Sequence, residues 1–301
     1  MRGSASSRPG GHHGPRGGSE ARMTPTQRRG RLSVALPSSI VSEHSHLRKK
    51  TNAIGHIGRA AALYRVDEIN IYRDDPDEAR LIRLILNYME TPQYLRRRLI
   101  RKMQELNYAG TLPPLRTPHH PTDGNSRRLK KGGFREGVVV SEEEDTYTVD
   151  IGVERTIKVR GRAPSVGSRT TVQITGVGSE LRGRFAKRKE IDQYWGYDVH
   201  VSDSLMELVS KEAFDLKIGT SRLGSSFKDV DTEIGERWAT AREILVVFGS
   251  PRRGLTKMLP KGKADVESLF DFTVNTIPDQ GSETVRTEEA MHATLAVLNL
   301  L

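Results

Sequence analysis

The stretch Ile244-Leu245-Val246-Val247-Phe248-Gly249-Ser250-Pro251 decides the predicted fold. Five consecutive apolar residues predict a buried strand, and the glycine and proline that follow predict a turn at its carboxyl end. Two further stretches repeat this order: Leu216–Ile218 runs into Gly219–Ser221, and Phe270–Val274 runs into Asn275–Pro278. Open α/β sheets bind ligands at the carboxyl ends of their strands. Three such loops in succession predict a site for a nucleotide-like ligand, although each loop alone is also typical of an ordinary turn.

The N-terminal part of the chain predicts strands that alternate with helices. A strand in Leu32–Pro37, a helix over Leu47–Leu63 and a strand over Val66–Tyr72 fall within about 40 residues, which indicates a parallel pair joined by a helix. Two more helices are predicted over Glu78–Met89 and Pro92–Leu106. The last of these carries a basic cluster that either faces RNA or is a solvated helix face: Arg96, Arg97, Arg98, Arg101 and Lys102.

Between these α/β parts, residues 136–185 read as β-structure. Four or five short strands in about 50 residues predict a small closed barrel such as an OB-fold. We therefore expect one α/β domain, split into residues 31–125 and 197–301, with the barrel inserted at 126–196. The cations predicted to bind RNA on the insert are Arg155, Lys158, Arg160, Arg182, Arg184, Lys187 and Arg188.

Charge and composition limit the remaining possibilities. The chain has 301 residues, a formal net charge of +10 and a pI near 9.8, which favours a polyanionic partner and above all nucleic acid. Residues 1–30 are rich in arginine and glycine, so we expect a disordered tail that either touches RNA or has no function. Because cysteine is absent, disulfides, cysteine zinc sites and cysteine nucleophiles are excluded, and no metal is predicted.

The sequence also lacks the signals of other protein classes. No run of about 18 apolar residues and no apolar N-terminal stretch occurs, so we expect neither a membrane span nor a signal peptide, and a cytoplasmic location. Neither GxGxxG nor GxxxxGK[ST] is present, so the common glycine loops for dinucleotides and nucleoside triphosphates are not predicted.

Two motifs make the sequence similar to a known family. Gly249-Ser250-Pro251-Arg252-Arg253-Gly254-Leu255, followed by the stretch from Asn275 to Ala290, closely resembles the SPOUT methyltransferases, in particular the branch with an OB-like insert that acts on RNA uridine N3. Shorter matches support it at Val34–Ile40, Val66–Ile69 and Pro118–His120. The resemblance covers roughly residues 31–301.

The resemblance implies a fold and a cofactor that composition does not show. SPOUT domains tie their C-terminal segment into a trefoil knot, which is a rare feature of protein chains. Their knot loops bind S-adenosylmethionine in a bent form, largely through backbone groups. Carried over by position, the cofactor-binding residues are Gly219, Thr220, Ser221, Phe248, Gly249, Ser250, Pro251, Gly254, Leu255, Asn275, Thr276, Ile277, Pro278, Gln280, Gly281 and Thr284.

The resemblance also points to candidate catalytic residues. The N3 atom of uridine carries a proton near neutral pH and must lose it, either to a general base or with help from a cation that stabilises the developing anion. Arg286 is the candidate that orients or polarises the base, and Glu288 is the candidate base. Glu288 and Glu289 could instead complement the dipole of the helix that follows, which is the stronger interpretation for Glu289.

Three functions remain open from the sequence. The first is an S-adenosylmethionine-dependent RNA methyltransferase, most simply one that acts on uridine N3 of ribosomal RNA. The second is a non-catalytic RNA-binding or ribosome-assembly factor with the same fold, and the third is a methyltransferase for protein arginine. Since most SPOUT enzymes complete the cofactor site across a subunit interface, the resemblance also implies a homodimer with twofold symmetry.

Overall fold

The computed structural model describes residues 26–161, 164–211, 213–250, 254–258 and 266–301. Its strands are β1 Arg31–Pro37, β2 Glu68–Tyr72, β3 Phe134–Glu143, β4 Thr146–Asp150, β5 Ile157–Arg160, β6 Arg169–Val177, β7 Leu181–Phe185, β8 Asp198–Ser202, β9 Leu216–Ser226, β10 Glu243–Val247 and β11 Phe272–Asn275. Its helices are α1 Leu47–Leu63, α2 Ala79–Glu90, α3 Gln93–Leu99, α4 Leu205–Val209, α5 Phe227–Thr240, α6 Leu255–Met258, α7 Val266–Leu269 and α8 Thr287–Leu298.

Six strands form one parallel sheet in the order β11-β9-β10-β1-β2-β8. The buried side chains alternate between its two faces, as the two-residue period of a strand requires. Val34 and Val246 point to the face covered by α1, α2, α5 and α8, whereas Ala35 and Val247 point to the face covered by α4, α6 and α7. The mixed α/β class with a parallel sheet is thereby confirmed.

The remaining five strands close into a small barrel in the order β3-β4-β5-β7-β6. Neighbouring strands are antiparallel except for β5 and β7, which run parallel. The interior is apolar and contains Val149, Ile157, Val159, Val172 and Ile174. The barrel expected between the two parts of the α/β domain is therefore present, with its own core.

One predicted helix is shorter in the structure than in the sequence reading. The helix expected over Pro92–Leu106 ends as α3 at Leu99, the chain is extended at Ile100, and a separate 3-10 turn covers Gln104–Leu106. The helix stops because the arginine run provides no continuous apolar stripe to pack on the core. The buried residue of α3 is Leu95.

The predicted N-terminal tail is only partly described. Residues 1–25 lie outside the described residues, whereas residues 26–30 contact the folded domain. The Thr26 backbone pairs with Gln193, and the Arg28 guanidinium donates to the Tyr64 carbonyl at 3.1 Å and lies 5.3 Å from the centre of the Trp238 ring. The predicted boundary at residue 30 thus falls inside a segment that packs. None of the described helices is long and apolar enough to cross a bilayer.

A buried ionic cluster joins the barrel to the α/β domain. Arg169 of β6 donates from Nη2 to Glu90 Oε1 at 3.0 Å and from Nε to Glu136 Oε2 at 2.5 Å. Glu136 also accepts hydrogen bonds from the Thr171 hydroxyl and the Trp195 indole, both at 2.6 Å. Glu90 ends α2, Glu136 and Arg169 belong to the barrel, and Trp195 lies in the return connection, so the cluster ties three segments together.

Charge pairing explains how these groups remain ionised inside the protein. Burial disfavours the charged form of Glu90, but Arg169 outweighs burial and lowers the pKa of Glu90 to about 2. His120, which is hydrogen-bonded to the Glu90 carbonyl at 2.7 Å, has its pKa lowered to about 3 by burial and by neighbouring His119. At neutral pH Glu90 is therefore a carboxylate and His120 is neutral.

Substitution of Arg169 tests the buried ionic cluster of Glu90, Glu136 and Arg169, which we call the ionic joint. Arg169→Ala leaves two buried carboxylates without their cation, so we expect the free energy of unfolding to fall by about 3–5 kcal/mol. Arg160→Ala is the matched control, because Arg160 is exposed on the same barrel, and we expect a change within about 0.5 kcal/mol. Urea denaturation of both variants measures the difference. Equal stabilities for the two variants would show that the cluster does not hold the domains together.

Candidate functional site

A cavity of about 420 Å³ lies at the carboxyl ends of β9, β10 and β11. This volume is typical of a pocket for a small organic ligand. The bulged part of β9 and the loops that follow β10 and β11 form most of its wall, and α8 closes one side. The cavity is lined by Thr220, Ser221, Arg222, Leu223, Phe248, Gly249, Ser250, Gly254, Val274, Asn275, Thr276, Ile277, Gln280, Glu283, Thr284, Val285, Thr287, Ala290 and Thr294.

An irregularity in the pairing of β9 shapes one wall. Thr273 of β11 pairs with Gly219, but the next residue, Val274, pairs with Ser225. The residues in between therefore bulge out of the sheet and carry Arg222 and Leu223 to the cavity. The bulge needs glycine at 224, since a Cβ atom there would lie 2.5 Å from the carbonyl oxygen of Thr273.

Hydrogen bonds tie this bulge to the loop after β11. The Asn275 side chain donates to the Arg222 carbonyl at 3.1 Å and accepts from the Ile277 amide at 3.0 Å. In return, the Arg222 guanidinium donates to the Glu283 carbonyl at 3.1 Å. The two loops therefore fix each other's position around the cavity.

Hydroxyl groups of threonine connect the other walls. The Thr220 hydroxyl donates to the Val247 carbonyl at 3.0 Å and so joins the ends of β9 and β10. The hydroxyls of Thr276 and Thr294 lie 2.8 Å apart, which joins the loop after β11 to α8. Tyr72 lies on β2, inside the sheet, and its hydroxyl donates a hydrogen bond of 2.6 Å to the Phe248 carbonyl. The cavity is thus built from backbone groups, hydroxyls and a few apolar side chains.

The chemistry of the lining limits what the site can do. Among its described residues, Glu283 is the carboxylate and Arg222 the guanidinium, and no described group of histidines and carboxylates could hold a metal ion. Such a lining offers hydrogen-bonding groups and two charges to a small polar molecule. The site is suited to a reaction in which the ligand itself carries the reactive group.

Most of the residues expected to bind a cofactor lie together at this cavity. The structure places eleven of them in its wall: Thr220, Ser221, Phe248, Gly249, Ser250, Gly254, Asn275, Thr276, Ile277, Gln280 and Thr284. Gly219 and Leu255 pack behind the wall against Phe270, and Pro278 and Gly281 lie in the loop after β11 without lining the cavity. Pro251 lies outside the described residues, as do Arg252 and Arg253.

The two residues expected to be catalytic lie at the rim. Thr287 between them lines the cavity, whereas Arg286 has an exposed side chain and Glu288 a half-buried one, and neither is part of the wall. The Glu289 carboxylate accepts from the Arg286 amide at 2.9 Å, which caps the first turn of α8. This bond supports the interpretation of Glu289 as a helix-terminal residue.

The sequence reading did not single out several wall residues. Arg222 and Leu223 follow a predicted loop directly, but nothing in the sequence shows that β9 continues as a bulge. Ala290 and Thr294 lie four residues apart on α8 and thus share one helix face, so helical periodicity was the available signal. That face reads as ordinary core because the residues are small.

The cations expected to bind RNA form a pattern on the barrel surface. The parallel pairing of β5 with β7 sets Lys158 beside Arg182 and Arg160 beside Arg184. Because the alternate residues Ile157 and Val159 point into the core, these four side chains point outward. The structure therefore brings four of the seven predicted cations onto two adjacent strands.

Several of these cations already have partners within the protein. Arg182 pairs with Glu180 at 3.2 Å and Arg184 with Glu190 at 2.6 Å. Arg188 pairs with Asp198 at 2.9 Å, Arg155 donates to two carbonyls, and Lys158 donates to the Thr148 hydroxyl. Lys187 is exposed, as is Arg160, which forms no ion pair with a described residue. Ion pairs between exposed groups are weak, so these arginines can exchange a carboxylate partner for an RNA phosphate.

Comparison with known proteins now gives the family. A family model described as "Putative RNA methyltransferase" matches residues 31–298. The chain belongs to this RNA methyltransferase family. The match spans both parts of the α/β domain and the barrel, so the cavity and the basic barrel are features of one methyltransferase.

Individual relatives cover nearly the same region. An uncharacterized protein of Halobacterium salinarum is 35% identical over 288 residues, covering 89% of this chain and 98% of its own. Proteins named 28S rRNA (uridine-N(3))-methyltransferase are 33% identical in Homo sapiens and 32% identical in Mus musculus, each covering 89% of this chain and 77% and 75% of their own lengths.

Substitution of Gly224 tests the bulge. In Gly224→Ala the new methyl group meets the Thr273 carbonyl, so we expect the free energy of unfolding to fall by about 1–3 kcal/mol. Gly281→Ala in the loop after β11 is the control, because a Cβ atom there meets nothing within 4 Å. Urea denaturation compares the two variants. If both unfold at the wild-type urea concentration, the described geometry of the bulge is incorrect.

Proposed function

We propose that this protein transfers a methyl group from S-adenosylmethionine to N3 of a uridine in ribosomal RNA. The observation that carries the proposal is the convergence of the β9 bulge, the loops after β10 and β11, and α8 on one cavity in a chain of the RNA methyltransferase family. The uridine and its N3 atom come from the names of the human and mouse relatives. The cations on β5 and β7 supply a surface for the RNA backbone.

The residues of the cavity fit S-adenosylmethionine. Phe248, Val274 and Ile277 offer apolar contacts for the adenine ring, and the loop carbonyls can accept from its amino group. Threonine and serine hydroxyls suit the ribose, and the Glu283 carboxylate suits the positively charged end of the molecule. When bound, the cofactor supplies an electrophilic methyl group on a sulfonium, so the protein's task is to align the acceptor atom with it.

The acceptor atom must be prepared by residues at the rim. For N3 to accept a methyl group, its N3–H bond must break and its proton must leave. We assign Glu288 to receive this proton and Arg286 to stabilise the negative charge that develops on the uracil ring. Both are sequence neighbours of Thr287, which lines the cavity, and this proximity supports the assignment.

We also propose that the barrel is an OB-fold and that the C-terminal segment forms a trefoil knot. The strand order β3-β4-β5-β7-β6, with β5 and β7 parallel, supports the OB-type barrel. A trefoil knot in the C-terminal segment is supported by contacts among its loops, where Thr287 reaches the Gly249 carbonyl at 3.5 Å and Arg222 reaches Glu283.

We also propose that two copies form a homodimer through α8. Beyond the cavity, this helix leaves Ala293, Ala296 and Val297 half-exposed, and Leu300 just after it is 84% exposed. An apolar surface of this kind at a helix and its end suits a second copy. Sedimentation equilibrium tests the stoichiometry, and a monomer at all concentrations would contradict it.

A cavity-filling variant tests the cofactor site. Ala290→Met places a longer side chain in the cavity wall, so we expect S-adenosylmethionine affinity by calorimetry and methyl transfer to RNA from cells lacking the protein to fall at least tenfold. Ala239→Met, at an exposed position of α5 outside the wall, is the matched control and should retain both. The proposal fails if the wild-type protein neither binds S-adenosylmethionine nor transfers labelled methyl to RNA. Activity that survives removal of the RNA by ribonuclease points to a protein substrate instead.

Substitution of Arg286 tests the acceptor side. Because Arg286 lies outside the cavity wall, Arg286→Ala should leave S-adenosylmethionine affinity unchanged within about twofold. Loss of one charge-stabilising donor should lower kcat about 100-fold. Arg48→Ala on α1, an exposed arginine away from the cavity, is the control. A wild-type kcat in Arg286→Ala would remove this residue from the mechanism.

A further inference from the structure

A second cavity, of about 480 Å³, lies at the other end of the same sheet edge, where β2 and β8 end. It is bounded by α2, by the residues after β2 and by the segment that precedes the Gln104–Leu106 turn. Its wall contains Arg73, Asp77, Ala79, Arg80, Arg83, Leu84, Asn87, Met103 and Val201. Three arginines and one asparagine thus surround a floor of apolar side chains.

The cations at this cavity differ in how they are held. Arg73 pairs with Asp77 and lies 3.5 Å from Asp203, and Arg80 lies 3.3 Å from Glu105 while its side chain is 83% exposed. Ion pairs between exposed groups contribute little to stability, so these arginines can exchange a carboxylate for another anion at small cost.

Three further cations have no such partner. Arg83 in the wall, and Arg101 and Lys102 just before wall residue Met103, are all exposed, and none forms an ion pair or a side-chain hydrogen bond with a described residue. Arg83 and Asn87 lie four residues apart on α2 and therefore share one helix face. Unpaired cations beside an amide and an apolar floor match what a nucleotide presents: phosphate, base edge and base face.

The topology relates this cavity to the first one. Because all six strands are parallel, both cavities lie at the same edge of the sheet. The strands of the two cavities that lie nearest to each other, β10 and β2, are two steps apart in the strand order, which corresponds to at least about 10 Å at the usual strand spacing. This distance equals about three stacked nucleotides along one strand. An RNA strand with its target base at the first cavity can therefore place a neighbouring nucleotide at the second.

We infer that the second cavity is a subsite for a single-stranded RNA nucleotide that flanks the methylated uridine. Arg83, Arg101 and Lys102 bind the phosphates, and Asn87 contacts the base edge. The inference rests on the proposed RNA methyltransferase function and adds a contact surface on the α/β domain to the one on the barrel. It gives the enzyme two RNA contacts, one on each domain, that the ionic joint keeps at a fixed distance.

Removal of two charges tests this subsite. The probe is a fluorescein-labelled single-stranded 12-mer of uridine, and the variant is Arg83→Gln/Arg101→Gln. We expect the Kd to rise at least tenfold and the slope of log K against log salt to decrease by about 2, one for each lost phosphate contact. The matched control is Arg48→Gln/Lys49→Gln, which removes two exposed charges from α1 and should change neither quantity.

RNA affinity and methyl transfer are measured separately, so failure of the subsite can be distinguished from failure of the proposed reaction. S-adenosylmethionine affinity and thermal unfolding should be the same in the variant and the control, which excludes misfolding. Equal RNA affinity and salt slope in the two double variants would overturn the subsite, and so would a wild-type protein that binds no RNA. If the variant loses RNA affinity but the wild type transfers no methyl group, the subsite stands and the proposed reaction falls.

Photocrosslinking gives a second, independent measurement. A 13-mer of cytidine with one uridine at its centre and one 4-thiouridine three nucleotides away should crosslink to peptides from α2 or residues 100–103. Crosslinks confined to the barrel would overturn the inference. Displacement of the RNA from the second cavity by polyglutamate at equal charge concentration would show that the site prefers an acidic peptide.

Discussion

The parallel pairing of β9 with both β10 and β11 is the constraint on which the candidate site depends. Parallel strands must end at the same edge, so three loops that are distant in sequence meet at one cavity. The slip in register at Gly224 then forces Arg222 and Leu223 out of the sheet and into the wall. A reactive methyl donor needs alignment more than it needs an acid or a nucleophile, and loops fixed to rigid strand ends provide that alignment.

The ionic joint has a different role, because it fixes the position of the barrel relative to the α/β domain. Buried charges stabilise a fold poorly compared with apolar packing, yet loss of one partner is costly. The cluster of Glu90, Arg169 and Glu136 therefore specifies one arrangement of the two domains more than it adds net stability. This arrangement matters for the proposed function, in which the barrel binds the RNA whose target base must reach the cavity.

The positive charge of the chain is distributed over both domains. One set of cations lies on the paired strands β5 and β7, and another lies around α2 and the segment after α3. Two of the first set, Arg182 and Arg184, pair with acids, whereas Arg83, Arg101 and Lys102 pair with none of the residues that the structure describes. The net charge predicts a polyanionic partner, but the surface that meets it depends on which cations remain unpaired after folding.

The sequence by itself determined the elements and their class. Apolar runs that end in glycine or proline identified β9, β10 and β11, alternating segments identified the barrel, and family motifs identified most of the wall. Only the tertiary structure decided the rest: the end of α3 at Leu99, the bulge before Gly224, the small residues of α8 in the wall and the joint at Glu90. These features depend on contacts between residues far apart in the chain, and local periodicity and propensity carry no information about such contacts.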